Sequence, residues 1–406
     1  MSVQPPPVTD PLAAARHLEG PEAVEVLREA ARHAGARLVE ATLRSVHQRP
    51  GRAVSHVYAA TLEADGTRRE VLLVVHADAR ALPPGTFVLR RGEDQLAVWR
   101  FPHDPFLPGL PSAIDHGRVR ELLDGLQGPP GTVGLRTRAY RPTRRAVVEV
   151  TVTDPEDAGT DVTGRVLYLK VLAGRRAEEL AGIHRQLQEH VPVPRVIGVA
   201  ARQGIVALQA LPGATLREAL VSGRSLPGPA ALVELSQRFA ASGLTSRRDP
   251  RAFADPTRHL DFLAGVVPAA AADLRRLAAE VADLDAPLVP VHGDLHDGQL
   301  LLEDGEVTGL LDVDGSGTGH LATDAGNLVA HLEVVGHVWP TIAVRASAYA
   351  AQVAEAYRPL VGDRALRLAT AGAWLALATG PHRAQDPGWR TETEVRIARA
   401  FAVTAD

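Results

Sequence analysis

The chain contains no cysteine, so disulfides and thiolate metal sites are excluded at the outset. It also lacks any run of about 18 or more purely apolar residues, and no segment reads as a membrane span. The first twenty residues, MSVQPPPVTDPLAAARHLEG, show no basic start followed by an apolar core, the pattern of a secretory leader. A cytoplasmic protein is therefore expected. Nor is positive charge in surplus. With 44 basic and 48 acidic residues the formal net charge is −4, which gives no case for nucleic-acid binding and no acidic tail. What remains is ordinary for a folded chain, 45% apolar and 23% charged, so disorder is not the default. At 406 residues the chain exceeds most single cores, and two or three domains are expected.

Lysine is nearly missing too. Lys170, in VLYLKVLA, is the one lysine among the 44 basic residues. Wherever a generic positive charge suffices, this chain uses arginine. The two are not interchangeable, since lysine is a compact point charge and arginine a wide planar fork. A lysine kept by chance would sit on a solvated face. Lys170 instead lies inside an apolar run that reads as a buried strand, which favours a functional role.

The most informative stretch is Val291–Gly315, VHGDLHDGQLLLEDGEVTGLLDVDG. Leu300–Leu302 is an apolar run, Asp304-Gly305 is a turn signal, and Val307–Val313 is apolar and partly β-branched; together they predict a hairpin. An antiparallel hairpin brings the start of its first strand beside the end of its second. Gln299 and Asp312 are thus expected side by side, with Asp294 in the loop leading in. Three oxygen-bearing side chains at one hairpin end suit a hard cation such as Mg²⁺, which is commonly held by one or two carboxylates plus substrate phosphates.

Taken in order, residues 1–12 are Pro-rich and expected to be loose, and Ala13–Leu18 reads as a helical turn. Pro21–Ala34 has the marks of a helix, with Val24, Leu27 and Ala31 as its core contacts. An internal repeat follows. Leu43–Pro50, LRSVHQRP, is echoed 92 residues later by Leu135–Pro142, LRTRAYRP. Each copy runs on into Arg-Ala-Val, a strand, a turn-rich insertion and a closing apolar strand, Glu70–His76 in the first and Val166–Leu172 in the second. Two related β-domains in tandem are expected, with Val74 and Val75 near the place that Lys170 holds in the second. Between them, Trp99–Asp115 is rich in proline and aromatics and reads as packed connector, filler rather than a binding element. Val119–Leu126 reads as a short helix, and Gln127–Gly131 as a boundary. After Lys170, Arg175–His190 is a helical pattern, with Glu178 and Glu179 in its first turns; either carboxylate could fold back onto Lys170 or simply favour the helix start. The strands Arg195–Val199 and Gly204–Ala210 follow, and Thr215 is a plausible cap of a new helix. From there helical patterns dominate, with the hairpin as the exception.

On these residues the chain resembles small-molecule kinases of the aminoglycoside phosphotransferase family. That family's catalytic loop, His-Gly-Asp-Leu-His-Pro-Gly-Asn, is matched by His292-Gly293-Asp294-Leu295-His296-Asp297-Gly298-Gln299. Its metal segment, Ile-Asp-Trp or Ile-Asp-Phe, is matched by Leu311-Asp312-Val313. A downstream Gly-Asp-Pro-x-x-Asp is loosely echoed by Gly319–Asp324, the strand lysine by Lys170, and a Leu-Pro-Gly by Leu211-Pro212-Gly213. The resemblance covers roughly Leu135 to the C-terminus and is closest to the maltokinase-like branch, where an extra N-terminal module precedes the kinase-like core. It implies an α+β, protein-kinase-like bilobal fold preceded by an N-terminal α/β module. The expected domains are 1–127 as that module, 131–211 as a kinase-like β-rich lobe and 212–406 as an α-rich lobe with the catalytic loop.

The resemblance further implies ATP and Mg²⁺ as cofactors and a small-molecule hydroxyl as acceptor, with no nucleic-acid or membrane partner. Asp294 would accept or orient the proton of that hydroxyl, and His292 would orient the loop. Asp312 and Gln299 would hold Mg²⁺. Lys170 would meet the phosphates, steadied by Glu178 or Glu179, and the backbone of Gln209, Ala210 and Leu211 would meet the adenine edge. The phosphate-covering turn Arg141–Arg145 has no glycine, so Arg144 or Arg145 would supply charge there. His296 and Asp297 are candidates for the acceptor pocket, and Asp324 either braces the catalytic loop or caps its own helix.

Two other readings stay open. Gln299 in place of asparagine, and the missing glycines, fit a catalytically weak or inactive kinase-like nucleotide-binding module. His292-x-Asp294-x-His296-Asp297, joined by His320 or His331, superficially resembles a metallohydrolase cluster, but that reading leaves Lys170 and Asp312 without a role. The acceptor region, Ser236–Asp261 with the C-terminal helices, mixes Asp249, Asp255 and Asp261 with arginines and does not demand a polycation.

Overall fold

In the computed structural model the described residues are 17–49, 52–78, 80, 82–91, 94–127, 131–153, 165–245, 256–284 and 286–405. Residues 1–12, most of the turn expected at Ala13–Leu18, the linker residues 128–130, and Asp249 and Asp255 lie outside them. The chain divides into two compact units. The first comprises Met1–Glu178, Gly198–Ala207 and Pro381–Trp389, and the second Glu179–Ile197, Leu208–Gly380 and Arg390–Asp406. Among the described residues no helix is long and apolar enough to cross a membrane.

The first unit opens with α1 (Pro21–His33), whose proline stands in the first turn where no backbone N–H is needed. Its buried stripe is Ala23, Val26, Leu27, Ala30 and Ala31, while Val24 is only partly buried. The stripe packs on one face of a five-stranded antiparallel sheet built from β1 (Arg37–Arg49), β2 (Ala53–Ala64), β3 (Thr67–Asp78), β4 (Val88–Arg91) and β5 (Asp94–Arg100), in the order β1-β2-β3-β5-β4. Asp65-Gly66 makes the β2–β3 turn with both residues at positive φ (49° and 72°), as a two-residue hairpin loop requires. Helices α2 (Leu110–Ala113) and α3 (His116–Gln127) follow.

A second five-stranded sheet is formed by β6 (Thr132–Arg141), β7 (Arg145–Thr153), β8 (Arg165–Leu172), β9 (Val196–Ala200) and β10 (Ile205–Gln209), with α4 (Arg176–Leu187) between β8 and β9. Its order, β6-β7-β8-β10-β9, repeats that of the first sheet strand for strand. The duplication read from LRSVHQRP and LRTRAYRP is therefore present in the topology. The hairpins even close alike, Arg49 opposite Ala53 and Arg141 opposite Arg145. Register corrects one detail. Lys170 pairs with Val147, and the matching pair in the first sheet is Ser55 with His76. His76, not Val74 or Val75, stands where the second sheet has its lysine.

The connector between the sheets is more than filler. Buried Asp104 accepts hydrogen bonds from the Thr143 N–H (2.8 Å) and the Tyr140 hydroxyl (2.9 Å), and Tyr140 in turn accepts from the Trp99 indole (2.9 Å). This network pins the β6–β7 turn, in which Thr143 takes a left-handed conformation (φ 61°) that a β-branched residue rarely adopts.

The second unit is mainly helical: α5 (Leu216–Ser222), α6 (Pro229–Ala240), α7 (Leu260–Val266), α8 (Ala271–Ala282), α9 (Leu321–Val338), α10 (Ala343–Val361), α11 (Asp363–Leu377) and α13 (Trp389–Ala405), while the short α12 (Gly380–Ala384) falls almost wholly in the first unit. Its core gathers Leu263, Leu274, Ala330, Trp374, Leu375 and Ile397. The strand content is richer than expected. Besides the hairpin β13 (Leu300–Glu303) and β14 (Glu306–Leu310), the two-residue β11 (Ala214–Thr215) pairs with β13, and β12 (Leu288–Val291) pairs with β15 (Gly317–His320). These strands are too short and too glycine-rich to show a periodicity. Gly213 (φ 103°) makes the β11–β13 approach feasible, because a Cβ there would stand 2.6 Å from the Leu302 carbonyl oxygen. Thr215 caps α5 in a full capping box with Glu218, as anticipated.

Candidate active site

The loop between β12 and β13 carries the densest polar cluster of the second unit. Asp324, in the first turn of α9, is buried and accepts from the backbone N–H groups of His292 (2.7 Å) and Gly293 (2.8 Å). The open choice is thereby decided: Asp324 braces the loop, and His320 stands at the N-cap of α9. Burial raises the Asp324 carboxyl above its ordinary range, against the pull of His292 and the two N–H donors. One turn along the same helix, the Asn327 side-chain amide donates to the Leu295 carbonyl (2.9 Å). Asn327 was not foreseen; its signal was the i, i+3 spacing from Asp324, which puts both on one helix face.

His292 is buried, and its ring spans the loop. Its Nδ1 accepts from the Asp294 N–H (3.2 Å), so Nε2 bears the proton and donates to the Leu311 carbonyl (2.8 Å). The ring thus couples the loop to the segment after β14. Gly293 takes φ 80°, a turn that lets its neighbour Asp294 emerge half-exposed. Among the described residues no hydrogen bond or ion pair claims the Asp294 carboxylate.

Strand β14 ends at Leu310, three residues earlier than expected, and Asp312 follows in a left-handed conformation (φ 59°). Aspartate tolerates this region better than most residues, and such conformations gather at functional sites. Gln299 nevertheless lies beside Asp312 as the hairpin argument required, with Nε2 3.5 Å from Oδ2. Its Nε2 is also 3.1 Å from His296 Nε2. His296 Nδ1 accepts from the Gly298 N–H (3.0 Å), which in the neutral ring puts the proton on Nε2. A half-turn of the Gln299 amide presents its oxygen both to that N–H and towards Asp312, and the two chemically equivalent-looking orientations are chosen by such partners. A carboxylate and an amide oxygen at one hairpin end form a donor set that fits a hard cation.

Asp297 is fully buried, and Arg217 of α5 grips its two oxygens at 2.6 and 3.1 Å. Burial alone would raise this carboxyl, but the adjoining His296 ring and the hydrogen bonds of Arg217, with the charges of Arg217 and His331, hold it well below the usual carboxylate range. Its role is a tie between α5 and the loop. His296 and His331 stack with ring centres 4.4 Å apart, each with Nδ1 3.6 Å from Asp297 Oδ1. Ligand atoms of His296, Asp297 and His331 lie within 4.8 Å of one another, but the arginine on Asp297 already supplies the positive charge a metal would bring. The sequence offers His331 only as a ligand in the metallohydrolase reading, and Arg217 not at all; no local pattern in the sequence links Arg217 to residue 297.

The remaining expected residues fall as follows. In the first unit Lys170 is buried on β8, opposite Val147. Arg145 pairs with Leu172 and so shares Lys170's face of the sheet, two positions away. Arg144 turns instead into a recess beside the first sheet, with His47 and Arg49. Glu178, in the first unit, and Glu179, in the second, are both exposed on α4. In the second unit Gln209 is exposed and Ala210 and Leu211 half-buried after β10.

The first unit thus holds a buried lysine on a sheet strand, and the second a braced His-Gly-Asp loop and an aspartate after a hairpin. The profile of the phosphotransferase enzyme family (APH) matches residues 161–369, just over half the chain, and the chain belongs to that family. It is a small-molecule kinase. Similar solved structures include the aminoglycoside phosphotransferase APH(4)-Ia in a ternary complex with ADP and hygromycin B (17% identity, 71% of this chain and 98% of that one, TM-score 0.46). A choline/ethanolamine kinase family protein from Mesorhizobium loti shows 20% identity over 70% of this chain and 91% of that one, TM-score 0.45. No curated protein matches the chain.

Proposed function

We propose that the chain transfers the γ-phosphate of ATP, with Mg²⁺, to a hydroxyl group of a small molecule such as a sugar, an amino alcohol or an aminoglycoside-like compound. The observation that carries this reading is the Asp294 carboxylate, half-exposed and unclaimed among the described residues, on a loop held by the His292 ring, by Asp324 and by Asn327. A base must be free to meet its proton, and the groups that aim it must not move. Asp294 orients the acceptor hydroxyl and takes its proton as the new P–O bond forms. His292, Asp324 and Asn327 fix the direction from which it acts. Asp312 and Gln299 would hold Mg²⁺, which when bound supplies charge neutralisation for the phosphate oxygens. Lys170 and Arg145 serve the phosphates from one sheet face, with Glu178 or Glu179 steadying the lysine and the backbone of Gln209–Leu211 meeting the base. Residues 131–211 then act as the nucleotide lobe and 212–406 as the acceptor lobe, with 1–127 a module of its own. Next to Asp294 the stacked His296 and His331 form a flat wall suited to an acceptor ring, and Asp297 holds that wall in place.

The test is acceptor-dependent ATP consumption by purified protein with Mg²⁺ across sugars, amino alcohols and aminoglycosides. Turnover on at least one class supports the proposal. Nucleotide binding without turnover on any of them would favour the catalytically weak module.

A further inference from the structure

The two sheets share more than strand order. In both, the first hairpin closes on an arginine, and two residues along the second strand a cross-strand pair marks a special position, Val147 with Lys170 in one sheet and Ser55 with His76 in the other. Where one copy keeps its amine, the other keeps a buried histidine whose Nδ1 is hydrogen-bonded to Ser55 Oγ (2.8 Å) and whose Nε2 faces the Asp78 carboxylate at 3.4 Å. Beside His76 lies a recess of about 70 Å³, entirely within the first unit. His47 and Arg49 line it from the end of β1, Arg141 and Arg144 from the β6–β7 turn, and Arg383 from α12. Ser55 and Thr143 add hydroxyls, and among the described residues no Asp or Glu lines it.

The guanidinium groups of Arg49, Arg144 and Arg383, with Arg141 beside them, share a space that no carboxylate among the described residues lines; they repel one another, an arrangement that favours an anion. The strain registers in the groups themselves. Burial, with the charges of Arg49, Arg141, Arg145 and Arg176, pulls the Arg144 pKa down to about 10. Burial and the charges of Arg383, Arg141 and Arg144 push His47 down to about 3, so its ring is neutral. Two acids stand behind the lining residues and both are engaged: Asp78, 3.4 Å from His76 Nε2, by that ring, the Arg80 N–H and the charges of Arg52 and Arg49, and Asp104 by the Thr143 N–H and the Tyr140 hydroxyl. The turn that delivers Arg144 is held in an unfavourable conformation at Thr143 by Asp104, which is a cost that a binding function would explain.

We infer that this recess is a phosphate-binding site, the counterpart in the first sheet of the lysine position in the second. Arginine forks match phosphate oxygens two at a time. The volume holds roughly five waters' worth of ligand, the size of a phosphate group and far below a nucleoside pocket. The rest of the ligand therefore extends past Arg383, which is exposed. A phosphate bound here joins β1, the β6–β7 turn and the 381–389 segment, three stretches remote in sequence.

The site does not depend on the catalytic reading, and its test reads binding, not turnover. Full-length protein is titrated with inorganic phosphate at fixed ionic strength by calorimetry, beside Arg383→Gln, Arg49→Gln and Lys170→Met. Binding at a dissociation constant near 1 mM or tighter is expected, weakened about tenfold or more by either arginine substitution and retained in Lys170→Met. Arg383 is exposed, so its variant keeps the fold even if that of Arg49 does not. Competition then identifies the source. Displacement by ATP makes a nucleotide tail the occupant, and displacement only by a sugar monophosphate makes it a phosphate ester; either result upholds the site. Absence of phosphate binding, equal binding in Arg383→Gln, or loss only in Lys170→Met overturns it.

Discussion

Asp324 receives two consecutive backbone N–H groups, those of His292 and Gly293, on one buried carboxylate. Replacing it by alanine leaves both donors without their acceptor in a buried site, at a cost of about 2–3 kcal/mol. Asp324→Ala is expected to lower both thermal stability and kcat, while the Kd for ATP changes little. A variant whose kcat is untouched would show that the loop holds its shape without this brace. Calorimetric unfolding and nucleotide titration on the same sample separate the two effects.

Asp294 and Asp312 are expected to be individually essential. Asp294→Asn and Asp312→Asn should each lower turnover by about a hundredfold or more, with circular dichroism and melting temperature close to those of the parent. Full activity in either variant would refute the role given to that residue.

Lys170 is buried on its strand, and an arginine there would replace a compact point charge with a wide planar fork. Lys170→Ala is expected to raise the KM for ATP by about tenfold, and Lys170→Arg to recover only part of the loss. Initial rates over a range of ATP concentrations decide between these outcomes.

Asp297 and Arg217 set a pH dependence whose sign follows from the depressed carboxyl. A carboxyl held lower in the folded chain contributes stability above its ordinary unfolded value of about 4, and that contribution fades as acid protonates the folded group. Asp297→Asn is thus expected to destabilise at pH 7 and to converge on the parent as the pH falls below about 4. Arg217→Met, which leaves a buried carboxylate behind, should cost about 2 kcal/mol at pH 7, less than a fully enclosed pair because the arginine keeps part of its solvent. Urea melts at several pH values test both. Parallel stability profiles for parent and Asp297→Asn would contradict this account.

The hairpin, its Asp-Gly turn, the lysine strand and the duplicated sheets were legible because each rests on local signals: alternation, a turn dipeptide, one anomalous residue, a repeated octapeptide. Gln299 beside Asp312 followed from hairpin geometry alone. What escaped was long-range or too short to be periodic. Nothing near Asp297 announces Arg217, eighty residues earlier and still its partner. Asp104 looked like connector because two of its partners, Tyr140 and Thr143, belong to the next hairpin. The strands β11, β12 and β15 span two to four residues, below the length at which a pattern exists. The equivalence of His76 with Lys170 needed the pairing register, since counting from the repeat through insertions of unequal length misses by one or two positions.

Residues 381–389 cluster with the first unit, and His382 there reaches Glu19 at 3.3 Å. Glu19 accordingly waits for a partner made 363 residues later before its contacts are complete. A ribosome that stalls before residue 381 releases a nascent chain whose first-made sheets lack a piece of their surroundings, so cutting genes for this protein at the obvious linker would yield two unfinished halves.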